Sequence, residues 1–207
     1  MRTLVRFAGW LVFLILATGV AAYAFAFFTG LTTPPLDENT TGVLTQLRDR
    51  PVWFFMHIGG GGLALLLAPW QFASPVRNRW PHIHRFMGRL SVLAILVGGT
   101  GGLVMAFKSD AGPIAQSGFG MLAILWLTFT GIAVILAWKR NIIAHRRWMI
   151  RSAALTLAAV TLRIYIPFSM MVLYPRFGIE FETAYIAIAW ACWLPNLIVA
   201  ELYLRRM

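Results

Sequence analysis

Residues 52–72 read VWFFMHIGGGGLALLLAPWQF, twenty-one residues without an Asp, Glu, Lys or Arg. As a helix such a run rises about 30 Å, the thickness of the hydrocarbon core of a bilayer. A lone strand there would leave its backbone groups unpaired in lipid, so the stretch reads as a membrane-spanning helix. Five more apolar stretches flank it, at about 7–29, 86–107, 118–138, 148–173 and 184–204. The expected fold is therefore all-α: a six-helix transmembrane bundle formed as one domain over residues 1–207. Composition agrees, with 59% hydrophobic and only 12% charged residues, against about 25% charged in a soluble domain.

The cations set an orientation. Arg2 and Arg6, then Arg77, Arg79, Arg85 and Arg89, then Lys139, Arg140, Arg146, Arg147 and Arg151, and finally Arg205 and Arg206 fall on one side. Arg48, Arg50, Lys108 and Arg176 fall on the other, which also holds every acid except Glu201. The positive-inside rule then places both termini in the cytoplasm and the chain in the cell inner membrane as a multi-pass protein. The net charge of +11 does not indicate nucleic acid, because the charges cluster between apolar runs, where they set topology and meet anionic head groups of the lipid bilayer. Trp53, Trp70, Trp80, Trp138 and Trp148 lie near span ends, as interfacial aromatics do. The first stretch has the outline of a signal peptide, with Ala22-Tyr23-Ala24 as an A-x-A site, but is expected to stay as a membrane anchor. Cys192 lies alone in an apolar run and forms no internal disulfide.

The longest outer connection, residues 31–50, contains Thr33-Pro34-Pro35 and Asp37-Glu38-Asn39 and reads as a turn-rich cap or a partner-docking segment. Its Asn39-Thr40-Thr41 fits the glycosylation acceptor pattern, a weak match without meaning in a bacterial source.

Polar and small residues form stripes at helical spacing. Helix 2 has His57, Gly61, Ala64, Ala68 and Gln71 on one face; helix 3 has His84, Gly88, Ser91, Ile95, Gly98 and Gly102; helix 5 has His145, Met149, Ser152, Thr156, Ala159 and Arg163. In lipid, small residues mark helix contacts and polar ones turn inward, so helices 2, 3 and 5 are expected to face one another. His84-Arg85, Ser91 and Thr100 align with His145-Arg146, Ser152 and Thr161 at a constant offset, a trace of a duplicated hairpin.

His84 and His145 open two parallel helices at one depth. The positive helix start and the neighbouring arginines favour neutral imidazole, the metal-binding form. Two such groups could hold one haem iron from opposite faces, with arginines pairing the propionates; His-Arg at a cytoplasmic helix start is equally ordinary positive-inside flanking. Zn or Cu would need further ligands, and only His82 is near. The runs Gly59-Gly60-Gly61-Gly62 and Gly98-Gly99 with Gly101-Gly102 serve either close helix packing or a flat wall for a planar cofactor. Counting 1.5 Å per residue puts His57 and Arg163 at a similar outer depth, about 8 Å down helix 2 and about 22 Å up helix 5. An arginine that deep either snorkels outward or is met by backbone carbonyls, water or an oxygen-bearing ligand such as a quinone. His57, Arg163, Gly61, Gly98 and Gly102 are thus the candidate cofactor-binding residues, and His84 and His145 the candidate metal ligands. No nucleophile arrangement and no intramembrane carboxylate pair points to hydrolysis.

With HIGG at 57–60, APWQF at 68–72, HRFMGR at 84–89 and HRRWMIRS at 145–152 in view, the chain resembles a bacterial family of predicted membrane proteins, a domain of unknown function that includes the YozB-like proteins. The resemblance covers helices 2 to 6 and implies a multi-helix membrane fold without an assigned activity. More distantly, histidines projecting into a small bundle are similar to the two-haem transmembrane cytochromes b. The outer half here holds a single histidine, His57, so at most one bis-histidine haem b fits.

The sequence therefore points to a small membrane redox protein holding haem b or a quinone within helices 2–5. The rival is a non-catalytic accessory or scaffold subunit in a larger membrane-protein complex; a transporter is disfavoured because Arg163 is the one charge deep within a span. Orientation is directly testable: single cysteines at Ser117 and Asn141 are expected to react oppositely with an impermeant reagent on intact cells, Ser117 labelling and Asn141 not. The reverse pattern would invert the topology.

Overall fold

The computed structural model describes residues 2–30, 35–37 and 42–207, with no side chains described for 2, 3, 5 and 6. Asn39-Thr40-Thr41 and most of the connection around it lie outside the described residues. Among the described residues there is no strand, and six helices are long and apolar enough to cross a membrane: Phe7–Thr29, Pro51–Phe72, Pro81–Phe107, Gly112–Trp138, Ile142–Phe177 and Phe181–Arg205, here spans 1 to 6. An even number of crossings puts both termini on one face, the terminal face; the opposite one is the far face.

Four spans begin earlier than hydropathy alone places them. Span 3 starts at Pro81, span 4 at Gly112, span 5 at Ile142 and span 6 at Phe181. Pro81 and Pro113 occupy the first helical turn, where a fixed φ fits and a missing N–H leaves no bond unmade. Asn141 caps span 5 by accepting from the Ala144 N–H at 3.1 Å. Prolines in the first turn and the Asn141 cap thus start helices ahead of the apolar runs, and His82, His84 and His145 lie within helices.

Spans 2 and 3 pack backbone to backbone. A Cβ on Gly60 would collide with the backbone nitrogen of Gly98 and stand 2.5 Å from Ala94 O; one on Gly98 would stand 2.6 Å from Gly61 N, and one on Gly101 2.7 Å from Trp53 O. Helices in lipid have no hydrophobic drive toward each other, so small residues that allow such approach supply the association through van der Waals contact. The same glycine run serves span 1 on its other side, where Gly59 and Gly62 lie 3.1 and 3.3 Å (from an added Cβ) from the rings of Phe28 and Phe25. Trp10 of span 1 donates to Pro69 O at 2.9 Å lower down.

The expectation that spans 2, 3 and 5 face one another is corrected in one respect. The Ser152–Thr156 face of span 5 turns to span 4: Ser152 and Thr130 hydroxyls are 2.8 Å apart, and Trp126 Nε1 donates to Thr156 Oγ1 at 2.9 Å. Trp126 and Thr130 are two polar side chains in an otherwise oily helix, a signal too thin to mark span 4 as the partner. Span 5 still meets spans 2 and 3 in the central core, where Ala64, Ala94, Trp126, Leu155, Ile188 and Trp193 come together. Of the matched residues in the apparent repeat, Ser91 and Ser152 are both buried, whereas Thr100 is exposed and Thr161 bonds Asn196.

Spans 5 and 6 are both interrupted. Span 6 breaks between Ala191 and Leu194, where Pro195 cannot supply an N–H. Asn196 Nδ2 repairs the gap by donating to Cys192 O at 3.2 Å, and ties it to span 5 through Thr161 Oγ1 at 2.9 Å. In span 5, Pro167 removes the bond its N–H would give Arg163 O, and a π-helical turn, Ser169–Leu173, follows. Nearer the terminal face, Arg151 makes a bidentate pair with Glu201 at 2.5 and 2.9 Å and lies 4.8 Å over the Trp148 ring.

Gly60→Ala is expected to destabilise the protein by about 1–3 kcal/mol, the usual range for overpacking, read as a lower thermal midpoint in detergent. Gly131→Ala, whose Cβ would meet nothing within 4 Å, should leave the midpoint unchanged or slightly raised. Equal midpoints for the two variants would refute the backbone contact.

Candidate functional site

Polar side chains gather in two layers. In the layer near the terminal face, His145 Nδ1 lies 2.8 Å from Ala133 O of span 4. A carbonyl only accepts, so Nδ1 carries the proton and Nε2 keeps its lone pair in the neutral ring. His84, one turn into span 3, lies within electrostatic reach of both His145 and Arg77. Its Nδ1 is buried and has no hydrogen-bond partner. Gln71 closes this layer from span 2, donating to His84 O at 3.3 Å, with its carbonyl oxygen 3.5 Å from where a Cβ on Gly88 would stand. His82 takes no part: it is exposed and pairs with Arg85 at 3.1 Å, since residues two apart on a helix point differently.

In the second layer, deeper toward the far face, His57 sits in a socket made by glycines of span 3. Its Nδ1 donates to Gly98 O at 2.9 Å, and a Cβ on Gly102 would stand 2.6 Å from that nitrogen. At Gly98 and Gly102 the volume left by the missing side chains is therefore taken up by span 2 itself. Gly61 differs, because nothing lies within 4 Å of where its Cβ would be. With Nδ1 donating, Nε2 of neutral His57 is an acceptor, and it makes no hydrogen bond among the described residues.

Arg163 folds back along its own helix. Nη1 donates to Ala159 O at 3.1 Å, one turn earlier, and the guanidinium carbon lies 5.3 Å from the centre of the Tyr23 ring. That geometry is the opposite of snorkelling to the far face. Arg163 is within electrostatic reach of His57, and its Nε is buried without a partner. Among the described residues, His84 Nδ1 and Arg163 Nε are the two buried side-chain nitrogen or oxygen atoms with no hydrogen-bond partner. Both belong to residues singled out by the polar stripes.

Tyr23 was not among the sequence candidates. Its depth offers the missing signal: it lies six residues inside the far end of span 1, about 9 Å, level with His57 by the same arithmetic. Trp126, Thr130 and Asn196 were also absent from the polar stripes, and each serves packing or helix repair.

The chemistry open to the two layers differs. Among the described residues no three His, Cys, Asp or Glu side chains stand together to hold a metal ion, so a four-coordinate Zn site lacks ligands. Two imidazoles suffice only where the metal brings its other ligands with it, as a haem iron does. The deeper layer presents a guanidinium N–H and an imidazole lone pair, one donor and one acceptor.

A family described as a predicted membrane protein, DUF2306, matches residues 54–204, a stretch that includes His57, His84, His145 and Arg163. Neither a curated protein nor a solved structure matches the chain.

Proposed function

The chain belongs to the DUF2306 family of predicted membrane proteins, and we propose that it is a small redox protein of the inner membrane, holding one haem b between His84 and His145. The observation that carries this reading is the buried, unpartnered Nδ1 of His84 within electrostatic reach of His145. Leaving a buried imidazole nitrogen unbonded costs about 1–3 kcal/mol, and a ligand at that nitrogen removes the cost. His145 complements it. With Nδ1 tied to Ala133 O, its ring is held in one tautomer and orientation, as in second-shell support of metal-bound histidines.

The residues present fit the group. His84 and His145 would hold the group through their imidazole nitrogens, and Arg77, within electrostatic reach of His84, would offset the charge of its propionates. Haem b supplies one-electron exchange when bound. Gln71 holds the start of span 3 through His84 O, and the Thr130–Ser152 and Trp126–Thr156 bonds fix span 5, which carries His145, against span 4. With both termini in the cytoplasm, as the cation asymmetry argues, this layer lies at the cytoplasmic edge, within reach of a soluble electron donor or of a neighbouring subunit.

Absorption spectra of the full chain purified from haem-replete cells test the proposal. A low-spin b-type spectrum is expected for the wild type, lost in His84→Ala and in His145→Ala and retained in His82→Ala and His57→Ala. A colourless wild-type protein, or a spectrum indifferent to His84, would reject the haem and leave the accessory-subunit reading in its place.

A further inference from the structure

The second unpartnered nitrogen, Arg163 Nε, lies in the other layer, apart from His84 and His145. We propose that this layer is a separate site for the headgroup of a quinol or quinone that enters from the bilayer. Three observations converge on it. Arg163 is held back at depth by Ala159 O rather than reaching the far face, and its Nε–H is buried with no acceptor among the described residues. The ring under its guanidinium, Tyr23, is half exposed at 53% and stands on the outside of the bundle, so the site borders lipid. Beside His57 on the same span, Gly61 opens onto free space.

The donor and acceptor pattern selects the ligand class. Arg163 Nε offers a hydrogen to an oxygen, and His57 Nε2, the acceptor left over once Nδ1 bonds Gly98 O, takes a hydrogen from one. A hydroquinone carries both functions on an apolar ring, with hydroxyl hydrogens for His57 and oxygen lone pairs for Arg163. A fatty-acid carboxylate accepts only, so it satisfies Arg163 and sets its lone pairs against that of His57. Among the described residues no acid pairs with the arginine: within the spans, Glu201 is bound to Arg151 and Glu182 lies in the first turn of span 6. The neighbouring Tyr23 ring, 5.3 Å from the guanidinium carbon, attracts the cation through its π face and does not accept the Nε–H as an oxygen would.

The test uses the full chain in phosphatidylcholine nanodiscs with decylubiquinol as the probe, scored as saturable binding above that of empty nanodiscs. Arg163→Met is expected to weaken binding about ten- to a hundredfold, the value of a hydrogen bond to a charged group. Gly61→Leu, which fills the open space, should weaken it similarly. Arg163→Lys keeps the charge but lacks the planar N–H array, and a comparable loss is expected. Oleate should not displace the probe. Each variant is compared at a wild-type thermal midpoint and elution volume, so a folding defect is distinguished from a lost site. Binding no greater than in empty nanodiscs would overturn the proposal. So would unchanged affinity in Arg163→Met and Gly61→Leu, full affinity in Arg163→Lys, or displacement by oleate as effective as by unlabelled quinol. None of these outcomes depends on whether haem is bound at His84 and His145.

Discussion

The carbonyl of Gly98 and the backbone around it set the geometry on which both polar layers depend. Spans 2 and 3 meet there with the backbone of Gly60 and Gly61 pressed against Gly98, a separation that a side chain on Gly60 or Gly98 would prevent. That closeness lets the His57 ring reach across to the Gly98 carbonyl over the vacancy at Gly102. It also fixes the relative height of the two helices, so that Gln71 near the end of span 2 meets His84 near the start of span 3. One contact therefore positions a histidine on each span, in two layers on either side of it.

Much of the fold could be read directly because lipid imposes a strict rule. A run of apolar residues long enough to cross has no alternative to helix, and all six such runs are helices. The boundaries were less legible, because hydropathy weighs residues by affinity for lipid while Pro81, Pro113 and Asn141 start helices through backbone geometry and capping. The site residues were legible as stripes, since a charge or an imidazole inside a span is too costly to be accidental. Pairing was the least legible. Ser152 and Thr156 declare that span 5 has a polar face, but which neighbour it meets depends on Trp126 and Thr130, and a tryptophan counts as apolar in any pattern. The four-glycine run likewise permits close approach without saying to what: Gly60 faces span 3, Gly59 and Gly62 face span 1, and a side chain on Gly61 would meet neither.

The interruptions in spans 5 and 6 add a second kind of order. Asn196 bridges the break in span 6 to Thr161 of span 5, two residues before Arg163. A broken helix in a bilayer exposes backbone groups that must be satisfied by protein, and here the satisfying side chain also links the two irregular spans. The position of Arg163 is thus set from three sides: by its own Ala159 carbonyl, by Tyr23 of span 1, and by the span that carries it, anchored through Thr161 to span 6.

Two arginines on span 5 show what the deeper layer lacks. Arg151 and Arg163 are twelve residues apart, about 18 Å along the helix, and each lies over an aromatic ring, Trp148 in one case and Tyr23 in the other. Arg151 also has a carboxylate, Glu201, in a bidentate pair. Arg163 has a single backbone carbonyl. An arginine at the centre of a span costs about 2.5–3.5 kcal/mol on insertion scales. A cation–π contact returns about 0.5–2 kcal/mol, depending on its exposure, and one hydrogen bond to a charged group about 1.5 kcal/mol at the low end of its range. The two sums nearly balance, so the residue is tolerable without an acid, and the part left over is a directed one: a buried N–H with no acceptor. A glutamate at the same depth would have closed that account within the protein. Its absence keeps the N–H available to an oxygen that arrives from the membrane, and this distinguishes a binding arginine from a structural one on the same helix.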